Sequence, residues 1–465
     1  MKTTHTAEAS VTPESGGRRW SRVGGTYGSL ALLMCAALIL LGSISSSGKQ
    51  VILQAGLANP VLLAGERQTT HLKVGLTGFD LDRAGERPPV NVALVIDRSG
   101  SMSGEKLAKA REAAIMAVRR LGRDDIVSVV SYSSNVTVVV PATRLEDKDY
   151  VISKIRQLES GGGTALFAGV SKGAAETRKF LSRDRVNRVI LLSDGLANEG
   201  PSTPGELGDL GRALGRERIS VTTVGLGSGY NEDLMVRLAQ NSDGNHAFAS
   251  SAQDLIAIFD REFRDVLSVC AQEIRIRIYC SPGIRPVRVL GREAHISGQN
   301  VDVYLNQLYG GQEKYAVLEL DVPSHEPGSV VPVGDVEVTY ANAVTRTQDH
   351  LTSRVQARVS ASRREVARNI DKGAAAAAVV QEVNDANIRA MELRDAGKTE
   401  EAQTILFSNA KLLKSKAVEL DAPQLDSMSS ANMEDAEAVK SSSWSTFGRK
   451  KMRERQYINS NQQRQ

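Results

Sequence analysis

Val92-Ala93-Leu94-Val95-Ile96-Asp97-Arg98-Ser99-Gly100-Ser101-Met102 sets the architecture of this 465-residue chain. Five consecutive apolar residues cannot alternate between core and water, so residues 92–96 are predicted to form a strand buried on both faces. The run ends in a carboxylate and two hydroxyls separated by single residues: Asp97, Ser99 and Ser101. Residues 105–121 then follow helical spacing, with Leu107, Ala110, Ala114, Val118 and Leu121 on one stripe. A buried parallel strand that delivers Asp-x-Ser-x-Ser into the loop before a helix places oxygen donors at a crevice. The expectation is a metal site that binds a partner.

Outward from this stretch, apolar strands alternate with amphipathic helices. Further strands are predicted at 126–132, 136–140, 189–192, 219–224 and 247–249, and helices at 150–158, 166–180, 206–216, 231–238 and 252–267. Ser133-Ser134-Asn135 makes a tight hairpin turn, so 136–140 is expected to be an antiparallel edge. Such alternation predicts an α/β fold, a doubly wound sheet with helices on both faces. Two more segments carry oxygen donors. Gly161-Gly162-Gly163-Thr164 presents a hydroxyl at a helix start, and Ile190-Leu191-Leu192-Ser193-Asp194-Gly195 is a second buried strand ending in aspartate. In strand order 3-2-1-4-5-6 the first and fourth strands are neighbours. Asp97 and Asp194 then share one crevice with Ser99, Ser101 and Thr164. Two carboxylates in one crevice repel unless a proton or cation intervenes. An all-oxygen donor set selects a hard cation, Mg²⁺ first, with Mn²⁺ or Ca²⁺ as alternatives. Two acids leave such an ion short of negative ligands, so a carboxylate from a partner is expected to complete it.

These three segments, in this order, resemble the von Willebrand factor type A (VWA) domain and its metal-ion-dependent adhesion site of Asp-x-Ser-x-Ser, a Thr and an Asp. The pattern falls on Asp97, Ser99, Ser101, Thr164 and Asp194, and the resemblance covers about residues 90–263. With its flanking β-segments the chain is similar to the secreted or membrane-anchored bacterial branch called calcium-activated chloride channel homologues. The resemblance implies a protein ligand that supplies an Asp or Glu, with the serines and threonine on the metal and the aspartates often acting through water.

The remaining chain frames this domain. Arg18, Arg19 and Arg22 precede an apolar run at 30–41, so residues 1–47 are predicted to be a signal peptide or a single N-terminal membrane anchor that places the rest outside the cytoplasm. Residues 50–80 are expected to supply strands that complete a β-sandwich-like domain at 270–358, with the VWA domain at 88–267 inserted between them. Residues 361–420 are predicted to be a helical hairpin, with Val366, Ile370, Val379, Val383 and Ile388 on its first helix. Residues 421–465 are predicted to be a disordered polar and basic tail. Cys270 and Cys280 flank a strand too long for a disulfide and are expected to be free.

With 58 basic and 54 acidic residues, the formal charge of +4 gives no ground for nucleic-acid binding. Neither a dinucleotide fingerprint nor a P-loop is present. No histidine lies between His71 and His246, so a serine-hydrolase base would have to come from far away, and the chain is expected not to be an enzyme. The function expected is metal-dependent adhesion or assembly in the cell envelope. The alternatives are a channel or transport accessory, or a structural envelope protein whose metal only stabilises it.

Overall fold

Three strands precede the α/β run: β1 (Ile52–Leu57), β2 (Val61–Leu63) and β3 (Gln68–Thr77). They come from a computed structural model that describes residues 49–81, 87–441, 444 and 447–464. The predicted targeting segment, residues 1–47, lies outside the described residues.

The α/β run follows as β4 (Val90–Asp97), α1 (Glu105–Arg120), β5 (Ile126–Tyr132), β6 (Val136–Arg144), α2 (Lys148–Arg156), α3 (Leu166–Arg178) and β7 (Val186–Ser193). It continues with α4 (Pro204–Arg216), β8 (Ser220–Leu226), α5 (Glu232–Asn241), β9 (His246–Ala249) and α6 (Asp254–Leu267). Every residue of β4, β5, β7 and β8 is buried, because helices cover both faces of the sheet. Val92, Leu94 and Ile96 point toward α1, α2 and α6, whereas Ala93 and Val95 point toward α3, α4 and α5. The sheet order is β6-β5-β4-β7-β8-β9, with β6 antiparallel and the other strands parallel. Counted from β4, this is order 3-2-1-4-5-6. His246 opens β9. It is buried with Nδ1 2.8 Å from Thr223 Oγ1, and burial, with Arg453 and Lys450 nearby, drives its pKa down to about 3.

Period-two strands come next: β10 (Val269–Cys280), β11 (Arg285–Leu290), β12 (His295–Ser297), β13 (Asn300–Tyr309), β14 (Glu313–Val322), β15 (Val330–Asn342) and β16 (Gln348–Ser360). One sheet runs β12-β13-β10-β15-β16-β2, and the other β1-β3-β14-β11. Leu72, Val74 and Leu76 of β3 share a core with Ile274, Ile276 and Ile278 of β10, so segments on either side of the α/β run meet in one double-sheet core.

Five helices and a short strand close the chain: α7 (Arg363–Arg368), α8 (Lys372–Asp395), α9 (Thr399–Glu419), α10 (Pro423–Ala438), α11 (Gly448–Ser460) and β17 (Gln463–Arg464). Two expectations are corrected here. The first helix of the predicted 361–420 hairpin is broken, because the Asp371 carboxylate accepts from the Ala374 amide at 2.9 Å and starts α8 afresh. The predicted disordered tail, 421–465, contains two helices packed on the body. Several of its basic residues are neutralised rather than solvated: Arg449 pairs with Glu232, Asp233 and Asp395 at 2.5, 2.6 and 2.7 Å. Lys450 is buried 4.5 Å over the Tyr230 ring, 2.5 Å from Glu232 and 2.7 Å from the Tyr230 carbonyl. Of its large apolar residues Leu425, Trp444, Met452 and Tyr457 are buried, whereas Met433, Phe447 and Ile458 are exposed. No helix among the described residues is long and apolar enough to cross a membrane.

Cys270 and Cys280 are free and buried at the two ends of β10. Burial pushes their thiols up to about 12 and about 11, respectively. Thiol titration of the native chain at pH 8 is therefore expected to count neither of them. Unfolding in guanidinium should expose both; fast native reaction of either would place it at the surface.

Candidate metal centre

The carboxyl ends of β4 and β7 lie side by side because the two strands pair in parallel from Val90↔Val186 to Ile96↔Leu192. Asp97 closes β4 and is fully buried. Its Oδ1 accepts from the Ser99 amide at 2.8 Å, and its Oδ2 accepts from the Ser193 hydroxyl at 2.6 Å. One carboxylate thus holds both its own loop and the last residue of the neighbouring strand. The loop after Asp97 is stitched to the glycine-rich segment: the Gly100 amide donates to the Gly162 carbonyl at 3.0 Å, and the Gly161 amide to the Arg98 carbonyl at 2.8 Å. Gly161 and Gly162 have φ of 156° and 86°, backbone that other residues rarely adopt, which lets the segment turn this tightly.

Ser99 and Ser101 hydroxyls lie 3.0 Å apart, and Ser101 donates to Asp194 Oδ1 at 2.7 Å. Thr164 is held by its backbone. Its amide donates to Asn198 Oδ1 at 2.8 Å, and its carbonyl accepts from the Asn198 amide at 3.2 Å. A Cβ built on Gly195 would lie 3.2 Å from Thr164 Oγ1 and 3.5 Å from Ser101 Oγ. The two hydroxyls therefore converge on the residue next to Asp194, and glycine there leaves them room. All five residues named from the sequence meet at one edge of the sheet.

Burial raises the Asp97 carboxyl above its usual range, and the Asp194 charge adds to this, while hydrogen bonds from Ser193 and Ser99 pull it back. Asp194 is balanced by the Lys106 ammonium, which reaches from the first turn of α1 to Oδ2. The donor set is two carboxylates and three hydroxyls, which fits a hard divalent cation and not a soft one. Among the described residues no group of three or more His, Cys, Asp or Glu side chains gathers around a single point.

The sequence carries no signal for the parts that Lys106, Asn198 and Ser193 play here. Lys106 follows Asp97 by nine residues, where a helical lysine ordinarily faces water, so only the fold aims it at Asp194.

Several known proteins are similar to this chain. The family model for the von Willebrand factor type A domain matches residues 91–261. An uncharacterized protein of Synechocystis sp., sll0103, is 27% identical over 279 residues, 58% of this chain and 65% of that protein. The E3 ubiquitin-protein ligase WAV3 of Arabidopsis thaliana is 26% identical over 248 residues, 51% of this chain and 32% of that protein. The chain thus spans less than two thirds of the length of either relative. The solved structure of von Willebrand factor type A from Catenulispora acidiphila superposes with a TM-score of 0.67 at 15% identity, covering 90% of this chain and 97% of that one. That likeness is one of fold. One expectation is corrected by these matches: enzymatic activity was excluded for want of a histidine base, yet a relative bears the name of a ligase, so the exclusion does not stand.

The Lys106–Asp194 pair generates a prediction. A cation entering beside Asp194 competes with the ammonium, so Lys106→Met is expected to bind Mg²⁺ a few-fold more tightly than wild type in calorimetry. Asp194→Asn is expected to bind far more weakly. Weaker binding by Lys106→Met would mean that the lysine orients Asp194 rather than competing for it.

Proposed function

We propose, for a chain whose residues 91–261 are a von Willebrand factor type A domain, that Asp97, Ser99, Ser101, Thr164 and Asp194 hold a divalent cation and that the protein binds a carboxylate of a partner protein there. Mg²⁺ is the cation proposed first, with Mn²⁺ or Ca²⁺ as alternatives. Such domains generally mediate protein–protein interaction and commonly bind a divalent cation. The observation that carries the reading is the convergence of three hydroxyls and two carboxylates where β4 and β7 end side by side.

When bound, the cation would supply a positive centre that accepts an oxygen from an Asp or Glu of the partner. The protein's own residues prepare that encounter. Asp97, tied to Ser99 and Ser193, keeps the loop in one conformation. Gly100, Ser101 and Gly162 are exposed, so the crevice opens to solvent. Arg98 at its rim adds positive charge beside an incoming acid.

The same proposal places the folded chain outside the cytoplasm, in the cell envelope. Its support is the order of Arg18, Arg19 and Arg22 before the apolar residues 30–41, together with the resemblance to secreted or anchored bacterial proteins.

Partner capture from a cell-envelope extract tests the reading, with Mg²⁺ or chelator present and wild type beside Asp97→Ala and Thr164→Ala. Capture is expected only with the divalent cation and is lost in both variants, while their circular dichroism stays that of wild type. Capture that survives chelation, with a lowered melting temperature, would make the cation purely structural and overturn the proposal.

A further inference from the structure

A deep cleft lies at the opposite end of the α/β strands from Asp97. It is about 960 Å³ in volume, bounded by the carboxyl ends of α4 and α5, by β10, β11 and β13, and by α8 and α11. A cleft of that size accommodates a drug-sized molecule. Its walls join all three parts of the fold. Ile274, Leu305 and Tyr457 supply apolar surface, and the remainder is polar and charged.

The charges on the walls do not cancel locally. Asp243, Glu273 and Asp385 each have a basic partner of their own: Lys314 at 3.7 Å, Arg218 at 2.8 Å and Arg288 at 3.2 Å, respectively, so that Glu293 is the one acid of the walls with no ion pair among the described residues. Three arginines on the same walls are different. Among the described residues, no carboxylate pairs with Arg216 at the end of α4, Arg237 on α5, or Arg292 in the turn after β11.

Arg292 is the most telling. Its Nε donates to Gln462 Oε1 at 2.8 Å and its Nη2 to the Asn461 carbonyl at 2.6 Å, both neutral acceptors. A guanidinium has five N–H donors, so these two bonds fix its plane and leave the others for the cleft. Burial pushes its pKa down, only partly offset by Asp243. A desolvated cation whose burial is only partly offset is costly, and an anion in the cleft would relieve that cost.

We propose that this cleft binds a small organic polyanion, carrying two or more carboxylate or phosphate groups, between Arg216, Arg237 and Arg292. Planar guanidinium forks suit both anion chemistries. The site is independent of the centre around Asp97, and a ligand in it would touch the α/β domain, the double-sheet core and the C-terminal helices at once.

Calorimetric titration of the full chain with citrate and, separately, inorganic pyrophosphate tests this, in metal-stripped buffer at constant ionic strength. Saturable binding of at least one anion is expected, and which one binds separates the carboxylate source from the phosphate source. Arg237→Gln and Arg292→Gln are each expected to weaken it about tenfold, the loss of one charged hydrogen bond. Arg354→Gln, an exposed arginine on β16, and Asp97→Ala should bind as wild type does. Should Arg292→Gln fail to fold, Arg237→Gln on the exposed side of α5 still decides between binding and none. No saturable heat with either anion, unchanged binding in Arg237→Gln, equal loss in Arg354→Gln, or loss in Asp97→Ala would each overturn the proposal.

Discussion

Two parallel strands, β4 and β7, position everything else in the molecule. Each is eight residues long and wholly buried, and they pair without a break from Val90↔Val186 to Ile96↔Leu192. A slip of one residue would exchange Val92, Leu94 and Ile96 with Ala93 and Val95, inverting the two faces. The α3 side cannot absorb such an exchange. A Cβ on Gly173 would already collide with Val95 Cγ2, so the helix and strand touch backbone to side chain. Register is therefore fixed by packing, and with it the level at which Asp97 and Asp194 leave the sheet. The Ser193–Asp97 hydrogen bond is the visible consequence, a cross-strand tie at the edge where the candidate centre lies.

The opposite end of the strands is used for assembly of the chain itself. Arg188 near the start of β7 is fully buried, bonding Thr222 at 3.0 Å, Gln307 at 2.6 Å and Tyr309 at 2.8 Å, with Glu262 at 3.4 Å. It pins the sheet to β13 of the double-sheet core. Removing one partner from such a buried pair costs about 3–5 kcal/mol, because a charge is left without its counterpart. α11 adds a second clamp, where Glu454 accepts from the Phe248 amide of β9 at 2.8 Å and so satisfies a donor on the outermost strand of the sheet. The β-domain thus packs under the amino ends of the strands, α11 covers the outer strand β9, and the carboxyl ends bearing Asp97 and Asp194 open to solvent at Gly100, Ser101 and Gly162.

The strand pair and the five oxygen-bearing residues were legible in the sequence because their signals are local. Uninterrupted apolar runs ending in Asp97 and Ser193-Asp194 leave little choice of structure. Period-two residues such as Ile274, Ile276 and Ile278 were equally plain. What escaped depends on contacts between distant residues. Residues 421–465 are poor in apolar side chains, and their basic run promises solvation until Glu232, Asp233 and Asp395 are brought beside Arg449 and Lys450. The start of α8 at Asp371 was hidden because Val366 through Ile388 keep helical spacing across the break. β1 lies within the 50–80 segment expected to supply strands, although only its last residue, Leu57, is buried and its apolar positions carry no clear alternation. Lys106 and Arg292 look like ordinary surface bases, and only the fold aims them at Asp194 and the cleft.

Mn²⁺ soaked into crystals of the protein would locate the cation by its anomalous scattering. A single strong peak within about 2.5 Å of the Ser99, Ser101 and Thr164 hydroxyls is the expected result. A peak elsewhere, or none at saturating Mn²⁺ with the loops unchanged, would contradict the assignment of a divalent centre to these residues.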